Sequence, residues 1–409
     1  MPVMTGLSGN EIYCLHLKSL APGDLVIGNS VFSMGFLGGI GASFRGMLGG
    51  EVQQLTNVIH EGRMEAYKRM VSEASQVGAI GITGVTNELR QFHGQTEFLS
   101  VASCVHREDN QTGGRAEAIQ FTTSANGQEL YCQLDAGFAP IRFVFGNIAY
   151  SVGVAGGLLG GLKSLSRGEI KEFSDVFNAT RHHCLERITA EARSVGANAV
   201  VGIETRTMTF QGAHEMLMLG TASHHSALGS GAAPPVQGHA GVLPYQPAGV
   251  PNIPPIAPGH IVSSDLTNEE MWNLVHMGYM PLKLVLGTAV YSLGVVGGIM
   301  AMFKGLARGE VPELTSLIYD AREHAIGLIR DEATAIGADD VVGIKTHITE
   351  HGPLLEFMAI GTAVKRVAGV TTQTPSLPAQ AIIRDKDTWV GESATAAAVA
   401  AASAGRGRR

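Results

Sequence analysis

GANAVVGI at residues 196–203 returns as GADDVVGI at 337–344, and a looser copy, GAIGITGV, stands at 78–85. Working outward from these octets, the same two offsets keep recurring. Gly28, Gly146 and Gly287 are separated by 118 (28 to 146) and 259 (28 to 287) residues. The pattern Gly-x-x-Gly-Gly begins at Gly35, Gly153 and Gly294, and Gly-Glu stands at 50–51, 168–169 and 309–310. Arg63 matches Arg181 and Arg322, Glu73 matches Glu191 and Glu332, and Glu11 matches Glu129 and Glu270. Two constant offsets held without gaps mean three copies of one module. They are expected at 9–107, 127–225 and 268–366, with the first copy degenerate.

The connecting segments have a different composition. Residues 108–126 are short and polar. Residues 226–262 carry eight prolines among Gly and Ala, including Pro234, Pro235, Pro254 and Pro255, which predicts a semi-extended linker. Residues 367–409 are rich in Thr, Ser and Ala, end GRGRR, and predict a disordered tail. The whole chain has 409 residues, 45% of them hydrophobic and 16% charged, which excludes wholesale disorder. A formal net charge of −7 argues against a nucleic-acid-coating protein. Four cysteines do not make a disulfide framework. MPVMTGLSGN lacks a basic region followed by an apolar one, so a cytoplasmic protein without a signal peptide is expected.

The third copy reads most plainly. Thr267-x-x-Glu270 is a capping box that opens a short leading helix closed by Gly278. A strand begins near Pro281 and runs into a Gly-rich apolar stretch. A long helix follows; in the first copy its apolar stripe is Val52, Leu55, Val58, Ile59, Ala66, Met70, Ala74 and Val77. DDVVGIKTHITE and LLEFMAIGTAVKR then read as two strands joined by a turn. The expected class is α+β: three tandem β-α-β-β modules, each a small antiparallel sheet with one long helix, a short leading helix and a Gly-rich insert. One helix and three strands bury a modest core, so the copies are expected to pack on each other or on other chains.

These residues resemble the YbjQ-like family, whose domains carry a heavy-metal-binding label. The likeness rests on the Gly-x-x-x-Tyr-Ser run at 146–151, Arg-Gly-Glu at 167–169, the helical Arg181, the two octets, GTA at 220–222 and GTAV at 361–364. It implies a small fold related to dodecin subunits and ring-shaped homo-oligomers, with pentamers as the family's usual form. Three does not divide five, so either each module type forms its own ring, with five chains stacked in three layers, or the ring number differs; the layered stack is the arrangement expected.

Leu25–Phe44, Phe143–Leu162 and Leu284–Phe303 are charge-free runs of spanning length. A strand sharing each run with a Gly-rich turn and short helix leaves neither long enough to cross a bilayer, so membrane contact is the less favoured reading. Fifteen histidines raise the question of a divalent heavy metal, but no CxxC or HExxH spacing is present. The densest cluster is His182-His183-Cys184, with His324 at the position matching His183. Adjacent helical residues point about 100° apart and cannot easily grip one ion. His93, His214, His347 and His351 fall near turns, where exposure is expected. Cys14 and Cys132 align and are expected in the core. Arg63, Arg181 and Arg322 with Glu73, Glu191 and Glu332 are candidates for pairing between modules, for anchoring helix to sheet, or for an anion site. No nucleophile elbow, phosphate loop or dinucleotide fingerprint is present. The leading expectation is therefore a non-enzymatic, self-assembling protein without cofactor. Metal or small-ligand binding at module interfaces and a membrane-associated assembly are the alternatives.

Overall fold

The computed structural model describes residues 2–33, 50–92, 95–108, 118–151, 168–210, 213–229, 244–246, 250–292, 312–351 and 354–378. The first module contains α1 (Gly9–His16), β1 (Leu20–Ser33), β2 (Gly50–Glu51), α2 (Gln53–Gln76), β3 (Gly81–Phe92) and β4 (Gln95–Arg107). The second has β5 (Phe121–Thr122), α3 (Gly127–Asp135), β6 (Phe138–Ser151), β7 (Gly168–Glu169), α4 (Lys171–Ser194), β8 (Ala199–Phe210) and β9 (Ala213–His225). The third has β10 (Val262–Ser263), α5 (Asn268–His276), β11 (Tyr279–Ser292), α6 (Pro312–Ala335), β12 (Asp340–His351) and β13 (Leu354–Arg366). The α+β class and the repeated order strand, helix, strand, strand are as expected. The strand half of each apolar run is β1, β6 or β11. The Gly-rich halves fall outside the described residues, and no helix among the described residues is long and apolar enough to cross a membrane.

The recurring residues have local causes. Ser8/Glu11, Asn126/Glu129 and Thr267/Glu270 each close a capping box on a leading helix, satisfying otherwise orphaned amides. The octet motif holds two glycines with positive φ. Gly196 (+79°) lets the chain leave α4, and Gly202 (+62°) sits at a bulge where the β8–β9 register slips between Val201 and Glu204. Gly78 and Gly84 keep both features in the first copy. Gly146 recurs for another reason: a Cβ there would lie 2.6 Å from the Cys184 carbonyl oxygen and 2.7 Å from the Ile188 amide, so it lets α4 rest on β6.

The central strands pair antiparallel in each module: β1–β4–β3, β6–β9–β8 and β11–β13–β12. The short strands then cross module boundaries. β5, which leads into module 2, adds parallel to β3 of module 1, and β10 adds to β8 of module 2 in the same way. In the other direction, β2 of module 1 pairs with the end of β6, and β7 of module 2 with the end of β11. Module 2 thus extends both neighbours' sheets, and modules 1 and 3 each extend the sheet of module 2. The cores are shared as well. Phe143, Phe145, Leu217 and Leu219 of module 2 pack against Tyr67, Met70, Ile82 and Val85 of module 1. Leu284, Leu286, Met358 and Ile360 of module 3 pack against Leu185, Ile188, Val200 and Ile203 of module 2.

Two expectations change here. The layered arrangement of like modules does not fit, because both faces of module 2 are already covered by modules 1 and 3 of the same chain. The connectors also do more than span. The end of the proline-rich stretch supplies β10, and earlier in it Ile253 bridges Leu228 and Tyr245 donates its amide to the Leu134 carbonyl. Past Arg366, the Gln373 and Thr374 amides still donate to Asp135.

Candidate functional site

The two joints between modules hold the most demanding chemistry in the chain. Helix α2 carries Arg63 to the first joint, where the guanidinium is fully buried. It donates Nε to Glu215 Oε1 (3.2 Å) and Nη2 to Glu215 Oε2 (2.8 Å), and Glu215, on β9 of the next module, is fully buried too. Nη1 donates to Asn87 Oδ1 at 2.6 Å, so both faces of the fork are used. In the second joint Arg181 on α4 reaches across to Glu356 on β13, with Nε at 3.0 Å and Nη2 at 2.5 Å from Oε1, and also donates to the Tyr150 hydroxyl. The position of Asn87 is held by Thr205 here, and the shorter side chain leaves Arg181 Nη1 and Thr205 Oγ1 both buried without a partner.

The second joint has further members. His351 Nε2 lies 2.8 Å from Glu356 Oε2, and His351 Nδ1 lies 3.2 Å from His214 Nε2. An ionised Glu356 only accepts, so His351 Nε2–H donates to it, and Nδ1 accepts from His214. Burial pushes the Glu356 carboxyl up, but Arg181 and the His351 hydrogen bond outweigh it and hold it below the ordinary range. Burial and the neighbouring His351 pull His214 down to about 4, so it stays neutral. The expectation that turn histidines are exposed is overturned for this pair. The start of β9, which carries His214, and the end of β12, which carries His351, meet at the joint, so His351 is buried and His214 half-buried.

Glu73, Glu191 and Glu332 each accept a first-strand amide: Ile27 (2.7 Å), Phe145 (3.0 Å) and Leu286 (3.1 Å). They are anchors from helix to sheet. Glu332 also takes Lys283 Nζ at 2.5 Å and stands 3.5 Å from His182 Nε2 across the joint. Burial lowers the His182 pKa, but Glu332 and the Asn178 carbonyl outweigh it and leave it raised. His182, His183 and Cys184 do not converge. His183 is exposed, while Cys184 is buried against the Gly146 carbonyl and its thiol is pushed up to about 12 by burial. His324 lies 3.3 Å from Glu169. Among the described residues no three His, Cys, Asp or Glu side chains are placed to hold a metal ion. Arg322 is exposed and forms neither an ion pair nor a hydrogen bond among the described residues.

A second polar hub went unnoticed in the sequence. Asp135, buried at the end of α3, accepts from Lys18 (2.9 Å), from Trp272 Nε1 (2.8 Å) and from the Thr374 amide and hydroxyl. Burial raises its pKa, but the hydrogen bonds from Lys18 and Trp272 prevail and hold it below normal. It ties the turn after α1 of module 1, α3 of module 2, α5 of module 3 and the segment after β13 together. Glu215 and Glu356 were missed as well, although an aligned Glu at 97, 215 and 356 was there to be seen.

Comparison with known proteins adds three kinds of match. The family model described as "Putative heavy-metal-binding" (YbjQ) matches residues 19–104, 139–226 and 279–367. An encapsulin nanocompartment protein of Mycobacterium tuberculosis is 32% identical over 234 residues, covering 54% of this chain and 86% of that protein. UPF0145 proteins of Acinetobacter baylyi and Archaeoglobus fulgidus are 36% and 40% identical over 97 and 80 residues. These stretches cover 24% and 19% of this chain, and 83% and 74% of those proteins.

Proposed function

The chain belongs to the YbjQ family in three tandem copies, and from that premise we propose that it is a non-enzymatic, self-assembling scaffold that builds a ring from fused modules. The observation that carries this reading is the joint. Each joint combines strand exchange in both directions, a core shared by two modules and a buried Arg–Glu pair. Buried ion pairs specify register and partner more than they stabilise, which suits an element whose task is ordered association. Fusion raises the effective concentration of one module next to another and fixes their order. The relative from M. tuberculosis bears the name of an encapsulin nanocompartment protein, in keeping with self-assembly. This reading places the protein in the cytoplasm, where four buried cysteines outside any disulfide remain reduced. Metal binding at the joints is not favoured, because the joint histidines and carboxylates already satisfy one another. Light scattering on the full chain tests the proposal. A mass that is an integer multiple of the chain's is expected, and a single-chain mass at every concentration would refute it.

A further inference from the structure

The chain runs as an open series: module 1 joins module 2, and module 2 joins module 3. Each joint has a tail, formed by the long helix and third strand of one module, and a head, formed by the first and last strands of the next. Module 1 therefore has a head with nothing in front of it, and module 3 a tail with nothing behind it. We infer that these two surfaces are each other's partners on separate copies of this chain, so that the internal joint is rebuilt between chains. The inference rests on the self-assembly proposed above and says which surfaces carry it.

The head of module 1 has an unpartnered counterpart for each joint contact. Leu25, Ile27 and Val31 are 40%, 50% and 48% exposed, while their matches Phe143, Phe145 and Ala149 are at most 2% exposed and Leu284, Leu286 and Val290 at most 1%. Three aliphatic side chains in one exposed stripe on an otherwise paired strand are costly in water. In the other two modules these positions are what the preceding module's tail covers. Glu97, which matches Glu215 and Glu356, is only half-buried and holds a 3.3 Å contact with Asn29 of its own module in place of an arginine.

The tail of module 3 is the matching surface. A groove of about 310 Å³ lies open between α6 and β12, lined by Ile326, Ile329, Ala333, Ala338, Val341 and Ile344. These residues stand where Tyr67, Met70, Ala74, Ala79, Ile82 and Val85 stand in module 1, the positions that receive Phe143 and Phe145. The groove is thus the socket of the joint without its plug. Ile344 at its edge is 46% exposed, against 2% for Val85 and 3% for Ile203. Arg322 is at the position of Arg63 and Arg181, both buried in ion pairs, yet it is exposed.

The strands agree with the side chains. Phe121–Thr122 adds to Gly81–Ile82 and Val262–Ser263 adds to Ala199–Val200. By the same offsets, Val3 and Met4 of one chain reach Asp340 and Val341 of another. Val3 and Met4 are 52% and 71% exposed, and β12 has no outer neighbour among the described residues. An unpaired strand edge and an exposed stretch of main chain are complementary surfaces for strand addition. The contact is heterologous, head to tail, so it closes into a ring or extends as a filament according to the rotation per module.

A charge exchange tests this pairing. Arg322→Glu and Glu97→Arg change residues outside the buried core, so both variants fold, which circular dichroism checks. Each alone places like charges across the chain-to-chain joint and is expected to raise the concentration for half-assembly about a hundredfold. Mixing the two restores assembly, because the reversed pair forms at one joint and the natural pair at the next. If the wild-type chain assembles and neither variant alters that, or if the assembly joins module 1 to module 1, the head-to-tail pairing is overturned while self-assembly stands. If the wild-type chain stays single at all concentrations, both readings fall.

Discussion

Replacing Arg63 with Met strands a carboxylate that has no other side-chain partner among the described residues. Glu215 is fully buried, and both of its oxygens are held by Arg63. Removing one member of a buried pair costs about 3–5 kcal/mol, since the remaining charge keeps its desolvation penalty without compensation. Replacing both members with apolar residues of similar size is close to neutral. Arg63→Met is thus expected to lower the stability of the joint by about 3–5 kcal/mol, and Arg63→Met/Glu215→Met to recover most of it. Guanidinium unfolding of the full chain, followed by circular dichroism, measures both. A double variant as unstable as the single one, or a single variant costing under about 1 kcal/mol, would show that the stranded charge is not what the joint protects against.

Three further outcomes follow from other residues. Thr205→Asn supplies the amide that Asn87 provides in the first joint and gives the orphaned Arg181 Nη1 an acceptor; thermal unfolding is expected to show a gain of about 1 kcal/mol, and no gain would mean that the gap is otherwise filled. Burial and the nearby Glu269 push the Glu129 carboxyl up to about 7, so the folded state favours its protonated form. Stability from this group is present below the unfolded value and is lost as the pH rises through 7; Glu129→Gln should flatten the profile between about pH 5 and 8 and change nothing near pH 4. Gly146→Ala forces a methyl into the backbone of α4 and is expected to cost about 1–3 kcal/mol, whereas the same change at the exposed Gly9, with nothing within 4 Å, should cost far less in denaturant titrations.

The sequence disclosed whatever recurred locally. Capping boxes, the helical stripe and the two strands after the octet are spacing signals, and the triplication multiplied each of them. The glycines of the octet were visible as a motif but not as a bulge, because a register slip depends on the partner strand. The joints were less legible for a related reason. Arg63 and Glu215 are 152 residues apart, and Arg181 and Glu356 175, so no window of local periodicity contains both members. Arg181 was singled out because it repeats; its partner repeats as well, but near the start of a stretch read as a strand, where a Glu is unremarkable. His351 and His214 were judged by position near a turn, and the two side chains meet each other across the joint. The short strands β5 and β10 sat in segments whose composition signals a connector, since two residues of strand leave no periodicity to detect.

The account stands on one joint used repeatedly, inside the chain and between chains. A cryo-electron microscopy map of the assembled particle examines that directly, because modules 1, 2 and 3 can be told apart by Phe143, Trp272 and the other large side chains. The map should show each chain end meeting the next with Arg322 opposite Glu97 and Leu25 and Ile27 seated between α6 and β12. Chains meeting through like modules, or with the groove of module 3 left open to solvent, would contradict it.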